Sequence, residues 1–283
     1  MDLTATPAEA VGGSFNLAQY SICLKGIVWR EALRFVNQRE RFISALVRPL
    51  LWLAIFAAGF RQVLGVSIIP PYETYVLYEV YVVPGLMAMI QLFSGMQSSL
   101  SLVYDRETGG MRTLLVSPFP RWWLLSSKLI ASTLVSVLQA YVFLAIAWFW
   151  DVETTLLGYL TVAPALFLCG FMLAALGMLI SSAIKQLENF AGVMNFVIFP
   201  MFFASSALYP LWRIQEASPL LYYICLANPF THAVELIRFS LYARISWLSL
   251  LVVATCTVAF LTGAILAYDP ARGFLARRGG GNT

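Results

Sequence analysis

The stretch VYVVPGLMAMIQLFSGMQSSLSLVY at residues 80–104, followed by DRETGGMRTLLVSP at 105–118, decides the fold. The first part carries no charged side chain and exceeds the roughly 20 apolar residues that a helix needs to cross the hydrocarbon core. The second part is short, charged and strongly patterned, and another uncharged stretch follows at 129–150. This order predicts a membrane protein that presents a helix-sized docking element on one face of the bilayer.

The composition of the whole chain is that of an integral membrane protein. Of its 283 residues, 60% are hydrophobic and 11% are charged, whereas soluble domains carry about 25% charged residues. We expect an all-α membrane domain over 42–268, preceded by a flexible leader at 1–16 and followed by a cytosolic tail at 269–283. Its six predicted spans are 42–65, 80–104, 129–150, 157–183, 189–210 and 245–268.

An amphipathic helix is predicted ahead of the first span, at 17–38. Arg30, Arg34 and Asn37 lie on its polar face, and such a helix rests in the headgroup plane. Its apolar face consists of Leu17, Tyr20, Leu24, Ile27, Val28 and Phe35.

Prolines interrupt the uncharged stretch within residues 213–244. Pro219 and the pair Asn228-Pro229 divide it into short pieces, because proline breaks a helix and disfavours it at the preceding residue. We therefore predict a proline-broken, re-entrant outer segment between spans five and six.

The placement of lysine and arginine predicts the orientation. With six spans and a cytosolic N-terminus, 14 of the 18 basic residues lie inside and 4 outside, which follows the positive-inside rule. Both termini are then cytosolic. These charges lie in the gaps between spans rather than on one face, so the basic balance does not predict nucleic-acid binding.

No catalytic, nucleotide or metal site is predicted in this chain. No glycine-lysine pair is present from which to build a P-loop, and the cores of spans two to six contain no Asp, Glu or His relay for proton coupling. The four cysteines are scattered without metal-ligand spacing. The single histidine, His232, is interpreted as a structural, hydrogen-bonded residue. The energy for transport must therefore come from another protein, or the chain is passive.

The loop at 105–128 is the strongest functional candidate. Gly109 and Gly110 allow a turn, residues 111–116 form an apolar ridge, and Ser117-Pro118 can stop one helix or cap the next. We favour a docking role over the alternative of an ordinary basic loop that only sets topology.

The order of these elements resembles the ABC-2 type permease of ABC exporters, and the chain is similar to drug and nodulation-factor export permeases. Three motifs carry the resemblance: DRETGGMRTLLVSP at 105–118, FPMFFASSALYPL at 199–211 and NPFTHAVELIR at 228–238. Ser206, where many relatives have glycine, and the doubled Gly109-Gly110 depart from the family pattern.

The resemblance implies a complex of two permease copies and two ABC ATPase subunits, with ATP and Mg bound by the ATPases and no cofactor in this chain. It implies that residues 105–117 form a coupling helix assisted by the N-terminal helix through Arg30, Glu31 and Arg34. The coupling residues are Asp105, Arg106, Glu107, Gly109, Arg112, Leu114, Leu115 and Ser117. The implied transport route between the copies includes Gln91, Ser94, Gln97, Ser98, Asn195, Phe196, Phe199, Phe202 and Phe203. The re-entrant segment contributes Asn228, Pro229, His232, Glu235 and Arg238.

The function hypothesis is a permease subunit in the bacterial inner membrane that exports a hydrophobic or amphipathic compound, powered by a separate ATPase. Within the family, the alternative is export of a lipid-linked glycan, and similar permeases also accompany quinoprotein alcohol oxidation systems. The alternatives from other classes are a non-transporting scaffold that recruits a cytosolic partner, and a polytopic membrane enzyme. The sequence leaves open the substrate and whether the second copy is identical or a related permease.

Overall fold

The described chain is helical. A computed structural model describes residues 16–37, 39–60, 70–72, 76–107, 119–150, 152, 155–184 and 187–267, and these ranges contain no β-strand. The predicted tail and nearly all of the predicted leader lie outside the described residues. The helices are α1 (Leu17–Asn37), α2 (Arg39–Phe60), α3 (Tyr78–Glu107), α4 (Arg121–Ala147), α5 (Leu156–Ala183), α6 (Leu187–Phe203), α7 (Leu211–Ala217), α8 (Pro219–Ala227), α9 (Pro229–Leu241) and α10 (Trp247–Ala267).

Four of the described helices are long and apolar enough to cross a membrane: α3, α4, α5 and α10. The prediction of a multi-pass, all-α membrane protein is therefore confirmed. The predicted first and fifth spans correspond to shorter apolar helices, Ala45–Ile55 within α2 and Gly192–Phe203 within α6. By length and composition, these two are shorter than a helix that crosses the hydrocarbon core unaided.

The broken segment divides where its prolines predict. Helices α8 and α9 begin at Pro219 and Pro229, and their axes differ by 76°. Ser218 and Asn228 are the N-caps, and each accepts a hydrogen bond from a backbone N–H of the helix that follows. Proline at the first helical position and a polar cap before it together define a helix start.

Two predicted span boundaries differ from the structure by seven or eight residues. Helix α4 begins at Arg121 rather than at 129. The predicted span started after Lys128 because that residue is charged, but Lys128 is only 8% exposed in the folded chain. Helix α6 ends at Phe203 rather than at 210. Pro200 removes a backbone donor near its end, and the chain then continues as a non-helical segment at 204–210.

Helix α3 forms the centre of the bundle and packs against α2, α4, α5, α6 and α9. Its contact with α5 is close because small residues face each other. A Cβ at Gly95 would lie 2.9 Å from the Cα of Ala174, and one at Gly177 would lie 2.8 Å from Ser99 Oγ. Small residues at such crossings let membrane helices approach closely.

Helix α1 corresponds to the predicted interfacial helix and packs mainly against α4. Most of its predicted apolar face is half-buried, but Leu17 is 85% exposed. A second apolar stripe on the outward side is also exposed, so the helix is less strictly amphipathic than the sequence pattern indicates. This stripe consists of Ile22, Trp29, Leu33 and Val36.

Candidate functional site

The predicted coupling loop is described only at its two ends. Asp105, Arg106 and Glu107 form the last turn of α3, where the backbone alone is described. The chain is described again from Phe119, and α4 begins at Arg121. Its remaining predicted docking residues, Gly109, Arg112, Leu114, Leu115 and Ser117, lie outside the described residues.

The start of α1 contacts the point where this loop returns to the bundle. The ring of Tyr20 lies 5.7 Å from the ring of Phe119 and 5.1 Å from that of Trp123. Aromatic pairs at such distances contribute about 1 kcal/mol beyond their buried area. The contact therefore brings the N-terminal helix and the returning end of the loop into one surface.

Three charged residues of α1 form a small ion-pair group. Glu31 Oε1 lies 3.4 Å from Arg30 Nη2 and 3.4 Å from Arg34 Nη1. Both arginines are exposed, whereas the carboxylate is largely covered. Exposed pairs of this kind contribute little to stability, commonly below about 1 kcal/mol, so the arginines remain available to a partner.

The predicted route residues of α3 occupy two different environments within one copy. Gln91 is fully buried, and its Nε2 donates to the carbonyl oxygen of Leu166 in α5 at 2.6 Å. Ser94, Gln97 and Ser98 instead line a small cleft of about 60 Å³ that α1, α3 and α4 enclose. We call this the α1–α3–α4 cleft; its lining residues are Glu31, Arg34, Phe35, Ser94, Gln97, Ser98, Ser101, Ser132, Val135 and Gln139.

The predicted route residues of α6 lie mostly on its outer surface. Asn195, Phe196, Phe199 and Phe203 are exposed, whereas Phe202 is buried. The rings of Phe202 and Phe203 each lie 6.1 Å from Trp52 of α2. The described copy thus does not bring the α3 and α6 residues into one cavity, and a route between two copies stays a prediction.

Asn228 joins the broken segment to the end of α6. Its Nδ2 donates to the carbonyl oxygens of Met201 at 2.8 Å and Ala204 at 2.7 Å. Its Oδ1 accepts from the backbone N–H of Phe230 at 3.0 Å, which caps α9. One amide therefore satisfies a helix start and two carbonyls at a helix end, which is important where water is scarce.

Arg238 holds the same non-helical segment from α9. It is 2% exposed, its Nη2 donates to the carbonyl oxygen of Ser206 at 2.8 Å, and its Nη1 pairs with Glu235. The guanidinium lies 4.1 Å from the ring centre of Tyr81, whose hydroxyl also donates to Ser206 O at 3.0 Å. A buried charge that is paired and hydrogen-bonded in this way keeps its ionised form.

His232 has the structural role that the sequence predicts. It is buried on α9, and its Nε2 lies 2.9 Å from the carbonyl oxygen of Leu226. In the tautomer with a proton on Nε2, the ring donates to that carbonyl across the break between α8 and α9. Pro229 occupies the first position of α9 beside it.

Several residues of these sites escaped the sequence analysis. Tyr78 and Tyr81 donate to the carbonyl oxygens of Leu208 and Ser206. Their spacing places both hydroxyls on one face at the start of a span, and this pattern could have indicated a shared hydrogen-bonding role. Ser132 and Gln139 of α4 line the α1–α3–α4 cleft. Their seven-residue spacing places them on one face of α4, but the predicted route was confined to spans two and five.

Comparison with known proteins assigns the chain to a family. The model of the ABC-2 type transporter family matches residues 23–242. The chain is 29% identical over 222 residues to the transport permease ycf38 of Cyanophora paradoxa, covering 76% of this chain and 73% of that protein. It is 31% identical over 164 residues to the multidrug ABC transporter permease YbhR of Escherichia coli K12, covering 57% of this chain and 43% of YbhR. The family match spans most of the chain, from α1 through α9, and the chain therefore belongs to the ABC-2 type transporter family.

Proposed function

We propose that this chain is the permease subunit of an ATP-driven exporter that moves a hydrophobic or amphipathic compound outward across the bacterial inner membrane. The observation that carries the proposal is the family match over residues 23–242, because permeases of this family work with an ABC ATPase partner. The similarity to a protein named as a multidrug permease supports an amphipathic substrate. The exposed aromatic residues of α6 are of the kind that such a substrate would contact.

The proposed topology has six spans. Helices α2 and α6 supply the two shorter ones, and α8 with α9 forms the re-entrant outer segment. Short helices are tolerated where neighbouring protein satisfies the backbone at their ends, as Asn228 and Arg238 do at the end of α6. The distribution of lysine and arginine supports cytosolic N- and C-termini.

The proposed coupling element consists of residues 105–117 together with α1. Two separate ATPase subunits bind ATP and Mg, and each receives this surface from one of two permease copies. The contact of Tyr20 with Phe119 and Trp123 supports a common surface. The exposed Arg30 and Arg34 extend that surface with positive charge.

The test measures whether ATP hydrolysis in the purified complex is coupled to movement of a substrate. The permease is co-purified with its ATPase, reconstituted, and assayed for hydrolysis and for ATP-dependent movement of a fluorescent amphiphile. Combining Glu107→Arg with Arg112→Glu reverses charge at two predicted docking residues, and we expect at least a tenfold loss of substrate-stimulated hydrolysis. Arg213→Glu on α7, an exposed arginine on the opposite predicted face, is the matched control and should leave coupling intact.

Two results would contradict parts of the proposal. If an ATPase co-purifies but no compound moves on ATP addition, the chain acts as a scaffold rather than as a permease. If the charge-reversed variant couples as well as the parent, the docking surface lies elsewhere on the chain.

A further inference from the structure

The α1–α3–α4 cleft has the features of a built polar site inside one copy. Three separate elements contribute to it: the charged face of α1, the serine and glutamine face of α3, and two polar residues of α4. Polar side chains from three helices converge on a space of about 60 Å³ in an otherwise apolar bundle. Convergence of polar side chains from several elements is a feature that ligand sites share.

Two side chains of α4 in this cleft have unsatisfied hydrogen-bonding atoms. Ser132 is 8% exposed and Gln139 is 4% exposed. Ser132 Oγ and Gln139 Oε1 have no hydrogen-bond partner among the described residues. A buried polar atom without a partner is costly. A hydroxyl group that occupies the cleft would therefore satisfy both atoms.

Atoms without a described partner also occur outside the cleft, including Gln91 Oε1 on α3 and Thr133 Oγ1 on α4, so the cleft is distinguished by the convergence of two such atoms on one space. At Gln91 only Nε2 is engaged, because it donates to the carbonyl oxygen of Leu166. On α4 itself, Ser136 Oγ donates to the carbonyl oxygen of Thr133 at 2.9 Å. Ser136 is not part of the cleft lining, whereas Ser132, one turn earlier, is.

The charges at the cleft determine which head group fits. Among the described residues, Glu31 and Arg34 are the charged ones in its lining, and they pair with each other at 3.4 Å. Because both lining charges already have a partner, an uncharged head group needs no counter-ion in the cleft. The remaining polar lining consists of serine hydroxyls and glutamine amides, which both donate and accept hydrogen bonds. Phe35 and Val135 add apolar surface beside them.

We propose that the α1–α3–α4 cleft binds the uncharged hydroxyl head of an amphiphile within each permease copy, before the compound enters a route between copies. This inference rests on the proposed function, since it assumes an amphipathic substrate. The hydroxyl donates to Gln139 Oε1 and accepts from the Ser132 hydroxyl. The adjoining carbon chain lies against Phe35 and Val135.

The test uses the purified full-length permease in lipid nanodiscs without ATP. The probe is dodecanol with a photoreactive diazirine beside the hydroxyl, and dodecane with the same diazirine is the apolar comparison. After irradiation, mass spectrometry locates the label. We expect the alcohol to label the lining of the cleft, including Phe35 and Val135, and the alkane to label only lipid-facing residues.

Matched variants separate binding from folding. Gln139→Leu and Ser132→Ala each remove one hydrogen bond to the probe, so we expect cleft labelling to fall by about threefold to tenfold. Neither should lower the unfolding temperature, because Ser132 Oγ and Gln139 Oε1 have no hydrogen-bond partner among the described residues. Ser136→Ala should leave the labelling unchanged. If Gln139→Leu does not fold, the comparison of cleft labelling between Ser132→Ala and Ser136→Ala decides whether the cleft binds the alcohol.

The inference is overturned if the alcohol and the alkane label the same residues, or if both variants label as strongly as the parent. Because labelling needs no ATP, this outcome is independent of export. If the cleft is not labelled but ATP-driven export is intact, the proposed binding in the cleft is wrong and the proposed function stands. Specific labelling without any ATP-driven export supports the cleft and contradicts the proposed function.

Discussion

At the residue scale, two side chains of the broken segment satisfy the backbone where α6 ends. Asn228 donates to the carbonyls of Met201 and Ala204, and Arg238 donates to that of Ser206. A helix that ends within a membrane leaves carbonyls that water does not reach, and each unsatisfied one is costly. The prolines alone predict the breaks, but the acceptors of these donors lie more than 20 residues away in sequence.

The first prediction at this scale concerns Asn228→Asp. Aspartate keeps the oxygen that caps α9 but replaces the NH₂ group, so two carbonyls lose their donor and face a carboxylate. We expect the free energy of unfolding to fall by more than about 2 kcal/mol. The measurement is thermal unfolding of the purified protein in nanodiscs.

Ser218→Asp is the matched control for that change. Ser218 caps α8 in the same serine- or asparagine-proline arrangement, and its side chain accepts from the backbone N–H of Leu221. Aspartate preserves that acceptor and complements the helix dipole, so the unfolding temperature should stay within error or rise slightly. Equal losses in the two variants would contradict the role assigned to the Asn228 amide.

At the element scale, small residues determine how closely α3 packs against α5. Gly95 and Gly177 allow α3 and α5 to approach so closely that an added Cβ would collide with Ala174 or Ser99. Lipid tails are as apolar as leucine, so membrane helices associate through this close packing. The length of a span is visible in sequence, but the choice of its neighbour depends on which small residues face each other.

The second prediction is that Gly95→Leu separates α3 from α5. A side chain at this position meets the backbone of Ala174, which cannot rotate away, so we expect a loss of about 3 kcal/mol in unfolding free energy. The control is Gly26→Ala in α1, where an added Cβ has no described atom within 4 Å. Alanine there should be neutral or stabilise the helix by up to about 1 kcal/mol, as measured by thermal unfolding. A stable Gly95→Leu variant would show that the crossing is looser than described.

At the scale of the whole molecule, the exposed face of α6 combines an amide with aromatic rings. Phe196 is 79% exposed, and Asn195 beside it presents an amide on the surface of an apolar helix. An amide facing lipid is unfavourable, whereas one at a helix–helix contact can form hydrogen bonds. A second permease copy on this face would shield both residues and would complete the proposed route.

The third prediction tests this pairing in native membranes. In a variant whose four cysteines are replaced, Phe196→Cys should give a crosslinked dimer with a short bis-maleimide, as seen by gel electrophoresis. Leu160→Cys on α5, at a residue that is 69% exposed, is the control and should stay monomeric. Equal crosslinking at both positions would indicate random collision, and none at 196 would place the interface elsewhere.

The sequence by itself determined the class of protein, the approximate spans, the helix breaks at Pro219 and Pro229 and the family motifs. Each depends on local properties: the length of an apolar run, the missing N–H of proline, or the order of short motifs. Only the tertiary structure decided that Gln91 turns inward to Leu166, that Arg238 holds the carbonyl of Ser206, and that Ser132 and Gln139 share a cleft with α1. Within an apolar span the sequence does not distinguish a side chain that faces lipid from one that faces a neighbouring helix, because that choice depends on packing between segments far apart in the chain.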